Sequence, residues 1–141
     1  MKLLLSTVVL TMILLSCSTA KKAGKGISAE QLAGTWELQY MQGKEVDELY
    51  ARRKPFIRFD LEAKRVSGNT GCNSFSGPLV INDDAIDFNQ PFAMTKMFCE
   101  GVDEQAFLEA MERVETFRVK DDVLEMLNGD VVVMRFKIGA N

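Results

Sequence analysis

Short apolar/polar alternations, each closed by a Gly, Asn or Asp turn, dominate this chain, and only one segment switches to helical spacing. Thr35-Trp36-Glu37-Leu38-Gln39-Tyr40 alternates with period two and should place Trp36, Leu38 and Tyr40 on one side of a strand. Phe56 to Leu61, Phe75 to Ile81, Ala85 to Phe88, Thr116 to Val119, Val123 to Leu127 and Val131 to Ile138 read as further strands, with Val66 leading into a glycine-rich stretch between them. Asn82-Asp83-Asp84, Lys120-Asp121-Asp122 and Asn128-Gly129-Asp130 are turn signals. From Gly101 to Glu115, Phe107, Leu108, Met111 and Val114 recur at helical spacing, and acidic residues near the start suit the helix macrodipole. Parallel strands need long crossovers, and only this helical segment is long enough for one. The expected fold class is therefore α+β and mostly antiparallel. A strongly curved sheet or small barrel of about seven to eight strands, with one main helix packed against it, would bury the stripes and limit exposed edges. Residues 43 to 54, GKEVDELYARRK, are charged and read as either a loop or a helical turn. Ser28 and Gln31 fit a capping box that opens a brief helix before Gly34.

The first residues obey a different logic. Lys2 precedes an apolar run from Leu3 to Leu15, too short for the roughly 20 residues of a membrane-spanning helix, but with the anatomy of a secretory signal. Leu14-Leu15-Ser16-Cys17 resembles the lipobox of bacterial lipoproteins, in which the cysteine is acylated and the signal is cut just before it. This divides the chain into a signal peptide at 1–16, a lipidated flexible tether at 17–27 and a folded domain at 28–141, with Cys17 as the lipid attachment site. Such a chain meets the membrane through its N-terminal lipid. Ser18, in place of an aspartate, favours the outer membrane by analogy with the best-known sorting rule.

Composition narrows the chemistry. The chain has no histidine, which excludes histidine-dependent triads and histidine-ligated zinc. The formal charge is −3, and removing Lys2 with the signal makes the mature chain more acidic, giving no basic face for nucleic acid. Beyond Cys17 only Cys72 and Cys99 remain, too few for a structural zinc site. Outside the cytoplasm they read first as a disulfide, closing a loop of about 27 residues worth about 3 to 4 kcal/mol. The alternative is two separately buried thiols.

Residues 68 to 77, GNTGCNSFSG, pose a local question. The stretch lacks the lysine of a phosphate-binding loop and the acids of a calcium loop, and nothing beside Cys72 would lower a thiol pKa. The remaining reading is conformational. Gly68, Gly71 and Gly77 permit positive φ or close backbone approach, and Asn69 and Asn73 bond to nearby backbone, turning Cys72 inward.

SGNTGCNSFSG, followed by AMTKMFC and an acidic amphipathic helix, resembles the META domain of HslJ-like bacterial lipoproteins. The resemblance covers roughly residues 32 to 138. By position, Gly71, Cys72, Asn73, Phe75 and Gly77 match the first motif, and Met94, Thr95, Met97 and Cys99 the second. It implies a compact antiparallel barrel-like fold, similar to pilot lipoproteins that escort outer-membrane secretins. It also implies envelope residence, with stress-related roles in some members, and no established enzymatic activity. The motif residues are then structural.

The resulting expectation is a monomeric, non-catalytic envelope domain without cofactor or metal, whose partner is an unidentified envelope protein. The alternative is a carrier of a small hydrophobic or acyl ligand inside the barrel, suggested by Met94, Met97, Phe98, Met111 and Met126. Thiol–disulfide exchange by Cys72 and Cys99 ranks below both, since the pair lacks CxxC spacing. A carboxylate pair drawn from Asp83, Asp84 and Asp87 is a further, weaker option, because acids in turns are usually solvated.

Overall fold

The structure is a computed structural model that describes residues 29–139. The expected signal peptide, the expected lipid site Cys17, the expected tether and the expected N-cap Ser28 lie outside the described residues. A 3₁₀ turn at Ala29–Leu32 leads into β1 (Gly34–Met41), α1 (Val46–Leu49), β2 (Phe56–Asp60), β3 (Arg65–Asn69) and β4 (Ser74–Pro78). Then follow β5 (Val80–Asn82), β6 (Ala85–Asp87), β7 (Ala93–Met94), α2 (Glu104–Glu112), β8 (Thr116–Lys120), β9 (Val123–Asn128) and β10 (Val131–Ile138). The strands form one antiparallel sheet in the order β5-β6-β8-β9-β10-β1-β2-β3-β4-β7, curled into a half-barrel.

Among the described residues the sheet has ten strands, more than the seven or eight expected. Phe75 to Ile81 is not one strand: the ladder of β4 ends at Pro78, which has no N–H to continue it, and pairing resumes at Val80. Ser67, Gly68 and Asn69 have weak strand preference, yet they complete β3 because the flanking strands β2 and β4 hold them. β7 is only two residues long and pairs Met94 with Phe75.

Alternation also fails inside β1. Trp36 and Leu38 are buried as expected, but Tyr40 is 38% exposed and Met41 is buried in its place. The register shifts between Leu38 and Tyr40, and a bulge of this kind advances the inward face by one residue. Tyr40 instead lies under the Arg135 guanidinium, 5.3 Å from its ring centre.

The concave face is filled with side chains. Trp36, Ile57, Phe117, Leu124, Met126 and Phe136 are fully buried, and α2 lays Phe107, Ala110 and Met111 into the same core. Asp103 caps α2 by accepting the Ala106 N–H at 3.0 Å, so the helix starts three residues after the expected Gly101. Trp36 donates its indole N–H to the Leu32 carbonyl at 2.8 Å, fastening the 3₁₀ turn to the sheet. By register, the start of β1 at Gly34 lies level with Phe59, Val66 and Gly77, while Asn69 and Ser74 sit toward the opposite end.

Candidate functional site

The glycine-rich stretch builds the hairpin between β3 and β4. At its tip the Thr70 N–H bonds the Asn73 carbonyl at 2.9 Å, and the Asn73 N–H returns to the Thr70 hydroxyl at 2.9 Å. Asn69 closes an Asx turn by accepting the Gly71 N–H at 2.9 Å. Gly71 has φ +94°, and a Cβ there would stand 2.6 Å from the Tyr50 ring. Gly68 and Gly77 serve the other purpose, close approach: the Phe75 ring lies over Gly68 and the Phe92 ring over Gly77. Phe75 is buried and meets Phe92 edge-on at 5.6 Å.

Asn69, Thr70 and Asn73 are buried polar residues, and each is satisfied. Asn73 does most of the connecting. Its Oδ1 accepts from the Met97 N–H at 2.7 Å and the Thr95 hydroxyl at 2.9 Å. Its Nδ2 donates to the Met97 carbonyl at 3.0 Å and to Glu104 Oε1 at 3.2 Å. The second carboxylate oxygen of Glu104 accepts the Thr70 hydroxyl. One side-chain amide thus reads both peptide groups of Met97 as a neighbouring strand would. Thr95 adds a bond by accepting the Ser74 N–H at 3.1 Å.

Cys72 and Cys99 are joined in a disulfide, Cα–Cα 5.8 Å, across 27 residues. The two motifs of the sequence therefore meet: Gly71, Cys72 and Asn73 on one side, and Thr95, Met97 and Cys99 on the other. Met94 packs half-buried against the core from β7.

Glu104 and Tyr50 complete the site and were not singled out by sequence reasoning. Glu104 is one of several acids in α2 and carries no mark that separates it from Glu109 or Glu112. Tyr50 follows α1 in the charged segment read as a loop or a helical turn; it is buried and donates its hydroxyl to the Asp103 carbonyl at 2.7 Å. Burial, then the charges of Asp103 and Glu104, push its phenol above the ordinary tyrosine range, so it stays a neutral donor. Lys44 meets the Asp103 carboxylate at 3.1 Å on the outer side. Backbone N–H donation from Ala106, then the Lys44 ammonium, holds that carboxyl below the usual range.

The methionines and Phe98 do not share one environment. Met111 and Met126 are core residues, whereas Met97 is 61% and Phe98 93% exposed. Beside them runs a groove of about 490 Å³ lined by Met94, Met97, Phe98, Glu104 and Leu108. A second groove, about 380 Å³, continues past Phe88, Phe92, Leu108, Met111 and Glu112. Asp83 and Asp84 are exposed in the β5–β6 turn. Asp87 is instead held below the ordinary carboxylate range by the Asn89 N–H and the Gln90 side chain.

The family model of the META domain matches residues 30–139. The chain belongs to the META domain family. Solved structures agree with this META domain in fold. A protein known by its NMR structure is 21% identical, with TM-score 0.61, covering 79% of this chain and 95% of its own. An NMR structure of a protein from Burkholderia xenovorans is 18% identical, with TM-score 0.64, covering 79% and 86%. The crystal structure of a DUF4847 family protein from Bacteroides vulgatus is 13% identical, with TM-score 0.52, covering 78% and 95%. No curated protein matches the chain. At these identities the likeness concerns the fold alone.

Proposed function

We propose that this META domain is a non-catalytic binding module of the cell envelope, held at the membrane by a lipid on Cys17, and that it meets a protein partner through the Met97–Phe98 tip. The observation that supports this most is Phe98, 93% exposed on a segment whose backbone is fixed by a disulfide on one side and by Asn73 on the other. An aromatic on a pre-ordered backbone loses little freedom on binding and suits the centre of an interface. The concave face is filled by Trp36, Phe107, Phe117 and Phe136, which lends no support to carriage of an acyl chain inside the barrel.

The test is photo-cross-linking from residue 98 in living cells, using a benzophenone amino acid, together with metabolic labelling by a fatty acid. The proposal expects one reproducible cross-linked protein from position 98 and none from Lys120, on the far hairpin. Label should enter the wild type and not Cys17→Ser. Equal cross-linking from both positions, or label surviving in Cys17→Ser, would contradict it.

A further inference from the structure

Beside the tip, the sheet is unfinished. Among the described residues, β7 is the last strand in the order and has a partner only on its β4 side. Thr95 donates its N–H to the Ser74 carbonyl at 3.0 Å, continuing the register of Met94 with Phe75 and Ala93 with Ser76. In an antiparallel ladder, residues alternate between those whose peptide groups face the partner and those whose groups face away. Ala93 and Thr95 face β4, so the N–H and C=O of Met94 face the open side. No backbone bond from another described segment reaches them. Both grooves are lined by Met94 and Leu108, so they meet along this free edge, with α2 as the far wall.

We infer that this edge takes an extended peptide segment of a partner protein, which adds to β7 as an eleventh strand. The inference rests on the binding-module reading and adds the class of partner. The peptide satisfies the Met94 N–H and C=O and seats alternate apolar side chains against Leu108, Phe92 and Met111. A helix in the same groove would cover those two groups without pairing them and so leave them desolvated and unsatisfied. Charge sets the order of the peptide. Glu104 is engaged by Thr70 and Asn73, whereas Glu112, at the other end of the groove, joins none of the four ion pairs among the described residues. A lysine or arginine of the peptide therefore faces Glu112, away from Lys96 at the tip end.

The test selects a displayed library of random twelve-residue peptides on the full chain in detergent, with Met94→Pro as the counter-target. That substitution removes the outward N–H and leaves the rungs at Ala93 and Thr95. Enriched peptides are expected to alternate apolar residues and carry a basic one. They should slow exchange of the Met94 amide about tenfold and bind Met94→Pro about tenfold more weakly, the scale of one lost hydrogen bond with its desolvation. If Met94→Pro does not fold, the same peptides N-methylated at alternate residues replace it: methylation in one register should abolish binding and in the other leave it intact. Glu112→Lys should disfavour the basic peptides. No enrichment over the counter-target, helical binders, or equal binding of both N-methylated series would overturn the inference. So would Met94 protection that grows with protein concentration alone, which would assign the edge to a second copy. A partner that still cross-links through residue 98 in Met94→Pro would leave the binding-module reading standing and remove only this edge from it.

Discussion

Two halves of the sheet hold their shape by different chemistry. In the β8–β9–β10 hairpins, Phe117, Leu124, Met126, Met134 and Phe136 point into the core, and the turns at Asp121-Asp122 and Gly129 take positive φ. What crosses the surface there is a charge ladder in which Glu125 sits between Arg118 and Arg135. In the β3–β4–β7 half, the end near the tip is built from buried amides, hydroxyls and a carboxylate, closed by a disulfide. Apolar burial is tolerant of detail and supplies stability; a satisfied polar network demands one arrangement and supplies geometry. The half that carries the exposed Phe98 is the half built from polar groups.

Substitutions in the two halves should separate these contributions. The largest effect is expected from Phe136→Ala, a loss of about 3 to 5 kcal/mol by cavity formation, read from urea unfolding with an unchanged slope. A loss below about 1 kcal/mol would mean that the hairpin half is not the stability store. Replacing both Cys72 and Cys99 by serine should remove about 3 to 4 kcal/mol. Hydrogen exchange sharpens that result: the Met97 amide should lose protection before the Leu124 amide, and equal loss at both would show that the halves open as one unit.

Asn73→Ala should cost about 2 kcal/mol, because it strands the Met97 peptide groups and the Thr95 hydroxyl at once. Its sharper readout is the tip, since cross-linking from residue 98 should fall although Phe98 itself is intact. Undiminished cross-linking would show that the disulfide alone orders the tip.

Glu125→Gln should be the mildest change, below about 1 kcal/mol, as for exposed ion pairs. Burial pushes the Glu125 carboxyl up, but hydrogen bonds from Arg118 and Arg135 outweigh this and leave it below the ordinary range. A carboxylate lowered on folding contributes stability that is present above its unfolded pKa and lost as pH falls through the folded value. Wild type should therefore lose its small advantage over Glu125→Gln on acidification below about pH 4.3. A difference that grows in acid would refute the assignment.

The same contrast explains what could be read from the residues. The hairpins after α2 were legible to within a residue, because alternation and Asn-Gly or Asp-Asp turns are local signals. The motif end was legible as a set of names, Cys72, Asn73, Thr95, Met97 and Cys99, without its geometry. Asn73 bonds to residues more than twenty positions away, and nothing in its neighbours shows which face of Met97 it will read. Glu104 reads as an acid that suits a helix start, and only folding sets it between Thr70 and Asn73. Tyr40 was misplaced for a related reason: a bulge is a property of two strands, and period counting sees one.

β1 runs from the end of the sheet where the described chain begins to the end that carries the tip. Eight residues at about 3.4 Å each make a rod of about 25 Å, stiffened by a neighbour on both sides. It works as the shaft of a lever. The described chain enters at the near end of the shaft, and the β3–β4 hairpin tip that holds Phe98 through the Cys72–Cys99 bridge lies toward the far end. Had the chain entered beside Met41 instead, entry and tip would share one end of the sheet. The polarity of the first strand thus sets the chain's entry and the tip at different ends of the sheet.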